Sequence, residues 1–473
     1  MAAGSGRVMQ KARDVRNLIA VLLAGTLTAS CASVIHNEPV NAPISGPISS
    51  AIPVGEEIPT TPDGVMVGLA FSGGGTRAAA FSFGVLKEMQ QIPLRSGSAS
   101  LLNRVDFVSG VSGGSVTAAY YGLHREAALD NFREKFLLRN AEEGLETSLT
   151  LATLSRAVAG GVNDSRGLPR WLDANLFHGA TFGSLRVNRR PRIWINASDI
   201  YNRTPFVFGA TSFTALCSNL ADYPIADAVA ASAAIPVAFA PVVIKAYPDN
   251  CTQPLPKWIV KARDNPNAPP MLSAFAKATS RYRDGKVPFV KLLDGGLVDN
   301  YGLAGFTIAR QSAEHPYEPM TPRQAVALRR SLFLVVDAKK GVAGDWVRTL
   351  EGPTGTDLVQ AVADTAIDAG VGASYTAFES TMQDWQNALV RWRCGLSAAE
   401  RSRLGAGPNW NCRDVKLMIG RISFDQFDHA RRARLDAVPT RFHLPQQQVD
   451  EVIAAGRDAL RTNPTLQAFL KTM

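Results

Sequence analysis

Two apolar runs of strand length, each cut off by a glycine-rich turn and followed at once by a helix-forming stretch, constrain this fold more than any other feature. The first is Val65-Met66-Val67-Gly68-Leu69-Ala70-Phe71, stopped by Ser72-Gly73-Gly74-Gly75; from Thr76 to about Gln91, Phe81, Val85, Leu86 and Met89 then recur at helical spacing. The second is Val105-Asp106-Phe107-Val108-Ser109-Gly110, with Val111-Ser112-Gly113 as the turn and an Ala/Tyr-rich helix from Gly114 to about His124. Continuous runs of this kind are buried on both faces, and their alternation with helices calls for a three-layer α/β/α fold around a mainly parallel sheet.

The rest of the chain extends this plan. Further strands are expected at Arg192–Ala197, Phe206–Gly209, Val290–Leu293, Ser331–Asp337 and Leu417–Ile422, and helices at Pro224–Ala234, Leu303–Ser312, Asp357–Arg391 and Gln446–Leu460. Residues from about Asp130 to Arg190 read as a mostly helical insertion. With 473 residues, 46% of them hydrophobic, the chain can bury a large core, which excludes a disordered polymer. No internal repeat or second boundary is visible. We expect one domain over residues 63–473, its motif-bearing core at about 65–340 and a helical extension at 341–473.

The first 62 residues are of a different kind. A basic stretch ending at Arg16, the apolar run Leu18–Gly25 and the small residues Thr28-Ala29-Ser30 form an export signal over residues 1–30, too short in its apolar part to span a bilayer comfortably. Cys31 follows, as in the lipobox of bacterial lipoproteins, although Thr28 stands where that motif usually has Leu. Lipidation at Cys31 and ordinary cleavage near Ala32 are the two readings. The first implies a lipoprotein of the bacterial cell envelope, and the lack of Asp after Cys31 favours the outer membrane, facing the periplasm. Residues 31–62, rich in Pro, Ser, Gly and Asn, read as a flexible tether with a reach on the order of 30 Å.

Of the formal charge of +9, the first 30 residues contribute +3, and no Lys/Arg run resembles a nucleic-acid arm. The surplus suits an anionic membrane surface at least as well. Without Cys31, four cysteines remain in an exported chain. Cys217–Cys251 and Cys394–Cys412 close the shortest sensible loops; the alternative is four unpaired thiols.

Three segments can carry chemistry. Gly110-Val111-Ser112-Gly113-Gly114 is a G-x-S-x-G between strand and helix, where small neighbours let a serine hydroxyl project from a sharp turn. The helix behind it turns its N–H groups and positive end toward developing negative charge. Ser72-Gly73-Gly74-Gly75-Thr76-Arg77 leaves successive backbone N–H groups unobstructed for an anion, as an oxyanion hole requires, and lacks the G-x-x-x-x-G-K-[ST] of a nucleotide loop. Leu292-Leu293-Asp294-Gly295-Gly296 puts a carboxylate at the end of an apolar strand. From its own neighbours, Asp294 is either a base or a loop cap. None of the six histidines, at 36, 124, 178, 315, 429 and 443, has a local setting that marks it as catalytic.

Gly-Gly-Gly-Thr-Arg at 73–77, Gly-Val-Ser-Gly-Gly at 110–114 and Asp-Gly-Gly at 294–296 occur in the order found in the patatin-like phospholipases, which this chain resembles over roughly residues 65–340. The stretch Ala230-Ala231-Ser232-Ala233-Ala234-Ile235-Pro236 is similar to the helix before the aspartate in that family. The resemblance implies a serine lipid acyl hydrolase acting on membrane phospholipid through a Ser–Asp dyad. Ser112 is then the nucleophile, Asp294 its base, and Gly73, Gly74, Gly75 and Gly113 the oxyanion donors. Arg77 either neutralises a phosphate head group or pins the glycine turn. No metal or cofactor is expected.

Two other readings share these residues. An α/β-hydrolase esterase needs a late histidine, His429 or His443; a non-catalytic envelope protein would bind lipid without cleaving it. A further expectation concerns Tyr247–Pro288, which is Pro-rich and carries seven Lys/Arg against three Asp. Within it, Met271–Lys277, followed by Arg281, Tyr282 and Arg283, either lies on an anionic bilayer or is an ordinary helix over the core.

Overall fold

The computed structural model describes residues 37–46, 64–94, 99–143, 145, 161–185, 191–341, 345–353 and 355–472. The export signal and Cys31 lie outside the described residues, as does most of the segment read as a tether.

Eight strands form one mixed sheet: β1 (Val65–Phe71), β2 (Val105–Val111), β3 (Arg192–Asp199), β4 (Thr204–Phe208), β5 (Val242–Lys245), β6 (Phe289–Asp294), β7 (Arg330–Asp337) and β8 (Lys416–Ser423). The order is β5-β6-β3-β2-β1-β7-β8, with β4 paired to β3 off this path. The five strands from β3 to β8 in that order are parallel, and the pairs β3–β4, β3–β6 and β5–β6 are antiparallel. The helices that matter here are α1 (Gly75–Gln91), α2 (Gly113–His124), α3 (Ile225–Ser232), α4 (Pro270–Arg283), α5 (Ala304–Gln311), α6 (Gly355–Cys394) and α7 (Gln446–Thr462).

The alternation of β1 assigns the helices to two faces. Val65, Val67, Leu69 and Phe71 join a core with Phe81 of α1, Val116 of α2 and Val452 of α7. Met66 and Ala70 point the other way, into a second core with Phe306 of α5 and Phe378 and Trp385 of α6. Each large side chain so buried contributes about 1.5–3 kcal/mol of transfer free energy, and a strand buried on both faces can carry no polar alternation. On the first face α1 and α7 cross closely, because Gly84 rests on the Ile453 carbonyl and Gly456 on that of Phe81. This is the three-layer α/β/α arrangement, with the parallel strands at its centre.

Three parts of the chain differ from the reading of the sequence. Residues 37–46, read as tether, are docked on the domain. The Asn41 amide donates to the Lys245 carbonyl and the Ser218 hydroxyl, its Oδ1 accepts from the Lys245 N–H, and Ile44 N–H donates to Cys217 O at 3.0 Å. Composition signals the lack of a local period, and here long-range hydrogen bonds hold the segment instead. Strand β5 was not anticipated: a four-residue edge strand is too short to show a period. The apolar face of α4 turns inward, with Leu272, Phe275, Ala276 and Tyr282 buried. It is therefore a core helix, and the bilayer reading of this segment is withdrawn.

The structure pairs Cys217 with Cys251 and Cys394 with Cys412, with Cα separations of 5.2 and 4.9 Å. Among the described residues no helix is long and apolar enough to cross a membrane.

Candidate active site

Strand β3 brings the site together. Its residues Ile195–Asp199 pair with β4 on one edge. On the other edge Arg192–Asn196 pair with β2 and Ala197–Asp199 with β6, because each overlaps β4 and cannot share its side. β2 and β6 therefore run toward each other along a single edge. Val111 ends opposite Asn196 and Asp294 opposite Ala197. Two strand ends far apart in sequence meet head-on, and the next residue after the first is Ser112.

Ser112 occupies the turn between β2 and α2 with φ 49° and ψ −124°, a conformation that costs of order 1–3 kcal/mol in a non-glycine residue. Surrounding bonds hold it there. The Ser112 N–H donates to the Ser232 hydroxyl at 2.8 Å, and that hydroxyl donates to the Asn196 carbonyl at 2.6 Å. The Asn196 amide donates in turn to Ser109 Oγ and the Gly110 carbonyl. The end of β6 is tied to the same helix, with Asp294 N–H on the Ala234 carbonyl at 2.8 Å and Gly295 N–H on that of Ser232 at 3.0 Å.

The Asp294 carboxylate accepts a hydrogen bond from the Gly296 N–H at 2.8 Å, and the Ser112 hydroxyl lies near enough to it to oppose the rise in its pKa. Burial raises its pKa from the ordinary carboxylate value to about 6; the two donors oppose the shift without cancelling it. A carboxylate of this kind is a stronger base than a solvated aspartate and still ionised at neutral pH.

The glycine turn lies beside this pair because β1 and β2 are neighbours in register, Phe71 opposite Gly110. Gly113 rests directly on the Gly75 carbonyl, where any Cβ would clash, and Gly74 has φ 137°, open only to glycine at low cost. Among the described residues the N–H groups of Gly74, Gly75 and Gly113 have no partner. Gly73 differs from expectation: its N–H is taken by the Asn300 carbonyl and Oδ1, both at 3.2 Å. It closes the turn rather than facing an anion.

Arg77 is buried, its Nε on the Ala338 carbonyl at 2.9 Å and Nη1 on that of Val438 at 2.6 Å, and burial lowers its pKa to about 10. Together with Ser72 Oγ accepting from Ala338 N–H, and Thr76 N–H on the Arg441 carbonyl at 2.8 Å, this pins the turn from behind. Of the two readings for Arg77 the structure supports the pin.

A family model for patatin-like phospholipases matches residues 69–307, half of the chain, and takes in the glycine turn, the serine turn and the aspartate. The chain belongs to the patatin-like phospholipase family.

Two solved structures of human GIVD cytosolic phospholipase A2 are among its structural matches. One has 11% identity and a TM-score of 0.43, covering 90% of this chain and 64% of that one. The other, in complex with methyl gamma-linolenyl fluorophosphonate, has 13% identity and a TM-score of 0.38, covering 87% and 59%. This chain thus spans less than two thirds of either. No curated protein sequence matches it.

Within this patatin-like domain the residues that sequence reasoning missed are Asn196, Ser232 and Asn300. Asn196 had a signal, a lone amide inside the apolar run Ile193-Trp194-Ile195, and Ser232 sits in the Ala-rich stretch already singled out. Asn300 had none. His429 and His443 are exposed, and among the described residues no histidine is a hydrogen-bond partner of Asp294 or Ser112. A separate cavity of about 450 Å³, lined by Trp194, Trp258, Phe275 and Ile308, contains neither Ser112 nor Asp294. Among the described residues no group of three His, Cys, Asp or Glu is placed to hold a metal ion.

Proposed function

We propose that the protein is a serine lipid acyl hydrolase that cleaves fatty-acyl esters of membrane phospholipids with a Ser112–Asp294 dyad. The observation that carries this reading is the head-on meeting of β2 and β6 on β3, which sets Ser112 beside a buried carboxylate whose pKa is raised to about 6. Asp294 takes the hydroxyl proton as Ser112 Oγ bonds to the ester carbonyl carbon. The oxyanion so formed is held by the N–H groups of Gly74, Gly75 and Gly113 and the positive end of α2. The ester C–O bond then breaks, and the departing alcohol leaves with the proton from Asp294. Water attacks the acyl-enzyme, returns a proton through Asp294 and frees the fatty acid. We further propose that an export signal and lipidated Cys31 hold the enzyme in a bacterial envelope, at the outer membrane facing the periplasm.

Release of fatty acid from phospholipid vesicles and from p-nitrophenyl esters, with Ser112→Ala and Asp294→Asn as controls, tests the dyad. Activity surviving in either variant sinks it. Loss in the Asp294→Asn variant with retained labelling of Ser112 by a fluorophosphonate would instead show that another base serves. An inert, unlabelled wild type would favour the lipid-binding scaffold.

A further inference from the structure

Large apolar side chains are not scattered over the surface of this protein. Ten are exposed among the described residues, and nine of them, all but Val260, lie at one end of the molecule. Ile200 and Tyr201 form the turn after β3, and Phe289 starts β6 beside them, with Ile200 N–H on the Lys291 carbonyl. Val237 is in the loop that follows α3. The remaining five are in the segment after β7, at Trp346, Val347 and Leu350, and in the first turns of α6, at Leu358 and Val362. Each of these positions is at the carboxyl edge of the parallel strands, the edge that carries Ser112 and the glycine turn.

The sheet order sets the two groups on opposite sides of the site, since β2 and β1 lie between β3 and β7. On the β3 side the structure overhangs. β3 continues three residues past Asn196, about 10 Å, and β6 begins five residues before Asp294, about 17 Å. The overhang is basic as well as apolar. Phe289 pairs with Lys245 across β5 and β6, Lys291 Nζ lies 5.4 Å from the Phe289 ring, and Arg203 closes the β3–β4 turn. Lys245, Lys291 and Arg203 are exposed and have no carboxylate partner among the described residues.

We propose that this end of the molecule is the surface by which the enzyme seats itself on an anionic phospholipid bilayer. Ile200, Tyr201 and Phe289 enter the head-group layer while Lys245, Lys291 and Arg203 meet lipid phosphates. Apolar side chains concentrated at one end mark an interaction site, and aromatic rings flanked by unpaired cations match the bilayer interface in both polarity and charge. The surface lies at the same sheet edge as the dyad, so a seated enzyme faces its substrate. This inference rests on the acyl-hydrolase reading for its choice of partner.

The test uses the full chain in a Cys31→Ser background, so that a lipid anchor cannot mask the effect. Binding is read by sedimentation with vesicles of phosphatidylcholine, with and without phosphatidylglycerol, and turnover with water-soluble p-nitrophenyl butyrate. The variant Lys245→Glu/Lys291→Glu should lose about 10-fold or more in affinity for the anionic vesicles. Tyr201→Ser/Phe289→Ser should weaken binding to both vesicle types. Both should hydrolyse the soluble ester as wild type does. Wild-type binding that neither variant reduces overturns the proposal, as does a wild type that binds neither vesicle. Equally fatal is finding in sedimentation velocity that these residues serve a dimer and leave vesicle binding unchanged. If the wild type cleaves no ester while its vesicle binding still depends on these residues, the hydrolase reading fails and the surface stands.

Discussion

Asp294 and Asp299 stand five residues apart on the same turn, both buried, and the protein treats them in opposite ways. Asp299 accepts from the backbone N–H groups of Tyr301 and Ala304 and from the Ser374 hydroxyl, which braces the turn against α6. Among the described residues the Asp294 carboxylate accepts from the Gly296 N–H and faces the Ser112 hydroxyl. Burial raises both pKa values, but Asp299 is held by two backbone donors and a hydroxyl from α6, whereas Asp294 is held by one backbone donor and faces the strained turn that carries Ser112. Burial alone does not make a base; incomplete satisfaction next to a nucleophile does.

The sharpest way to break this comparison is kinetic. Asp294→Asn should lower fatty-acid release by about 10⁴-fold, as should Ser112→Ala, because members of one catalytic unit fail together. Asp299→Asn should retain chemistry in whatever fraction folds, measured as turnover per active site titrated with a fluorophosphonate. Equal kinetic losses at 294 and 299 would erase the distinction.

Next in size is the response to pH. The base must be ionised, so kcat/KM should fall about tenfold per pH unit as the pH drops below about 6, with a single inflection on that limb. A profile flat down to pH 4 contradicts the raised pKa.

Stability should move in opposite directions at the two sites. A carboxylate whose folded pKa lies above its unfolded value penalises the folded state, with no penalty below about pH 3.8 and the full one above about 6. Removing the charge with Asp294→Asn should therefore stabilise the protein at pH 7 by up to about 3 kcal/mol, and not at pH 3.5. Asp299→Asn puts an NH2 group against backbone donors and should destabilise by about 2–4 kcal/mol at pH 7. Urea midpoints of the two variants decide it. The smallest effect belongs to His429→Ala and His443→Ala, each expected to change turnover less than twofold; a large loss in either would restore a histidine to the mechanism.

How far the sequence could be read follows from how local each feature is. Both strand–turn–helix units were legible because an unbroken apolar run, a glycine cluster and a helical period are properties of neighbours. The meeting of β2 and β6 was not, since it depends on which edge of β3 each strand takes, a choice made by pairings nearly a hundred residues apart. Asn300 escaped for the same reason: an amide six residues beyond Asp294 looks like any turn residue until Gly73 is brought against it. At Gly73 the motif misled, because a glycine run shows that N–H groups are unobstructed and not which of them stays free. Residues 37–46 were misread because Pro-rich composition records the lack of a local period but not the acceptors that wait on β5.

The glycine turn is gripped from behind by the carbonyls of Val438 and Arg441, well past residue 307, where the family match stops. The order of synthesis acquires a meaning from this. All three chemical motifs are complete once residue 296 has been added, yet after Ala338 has joined the turn between β1 and α1, the grip of Val438 and Arg441 still waits until some 145 residues past 296 have been made. The growing chain thus carries its proposed nucleophile and base through most of its manufacture with the glycine turn only partly held, and the hold is complete only when its last third folds back onto its first.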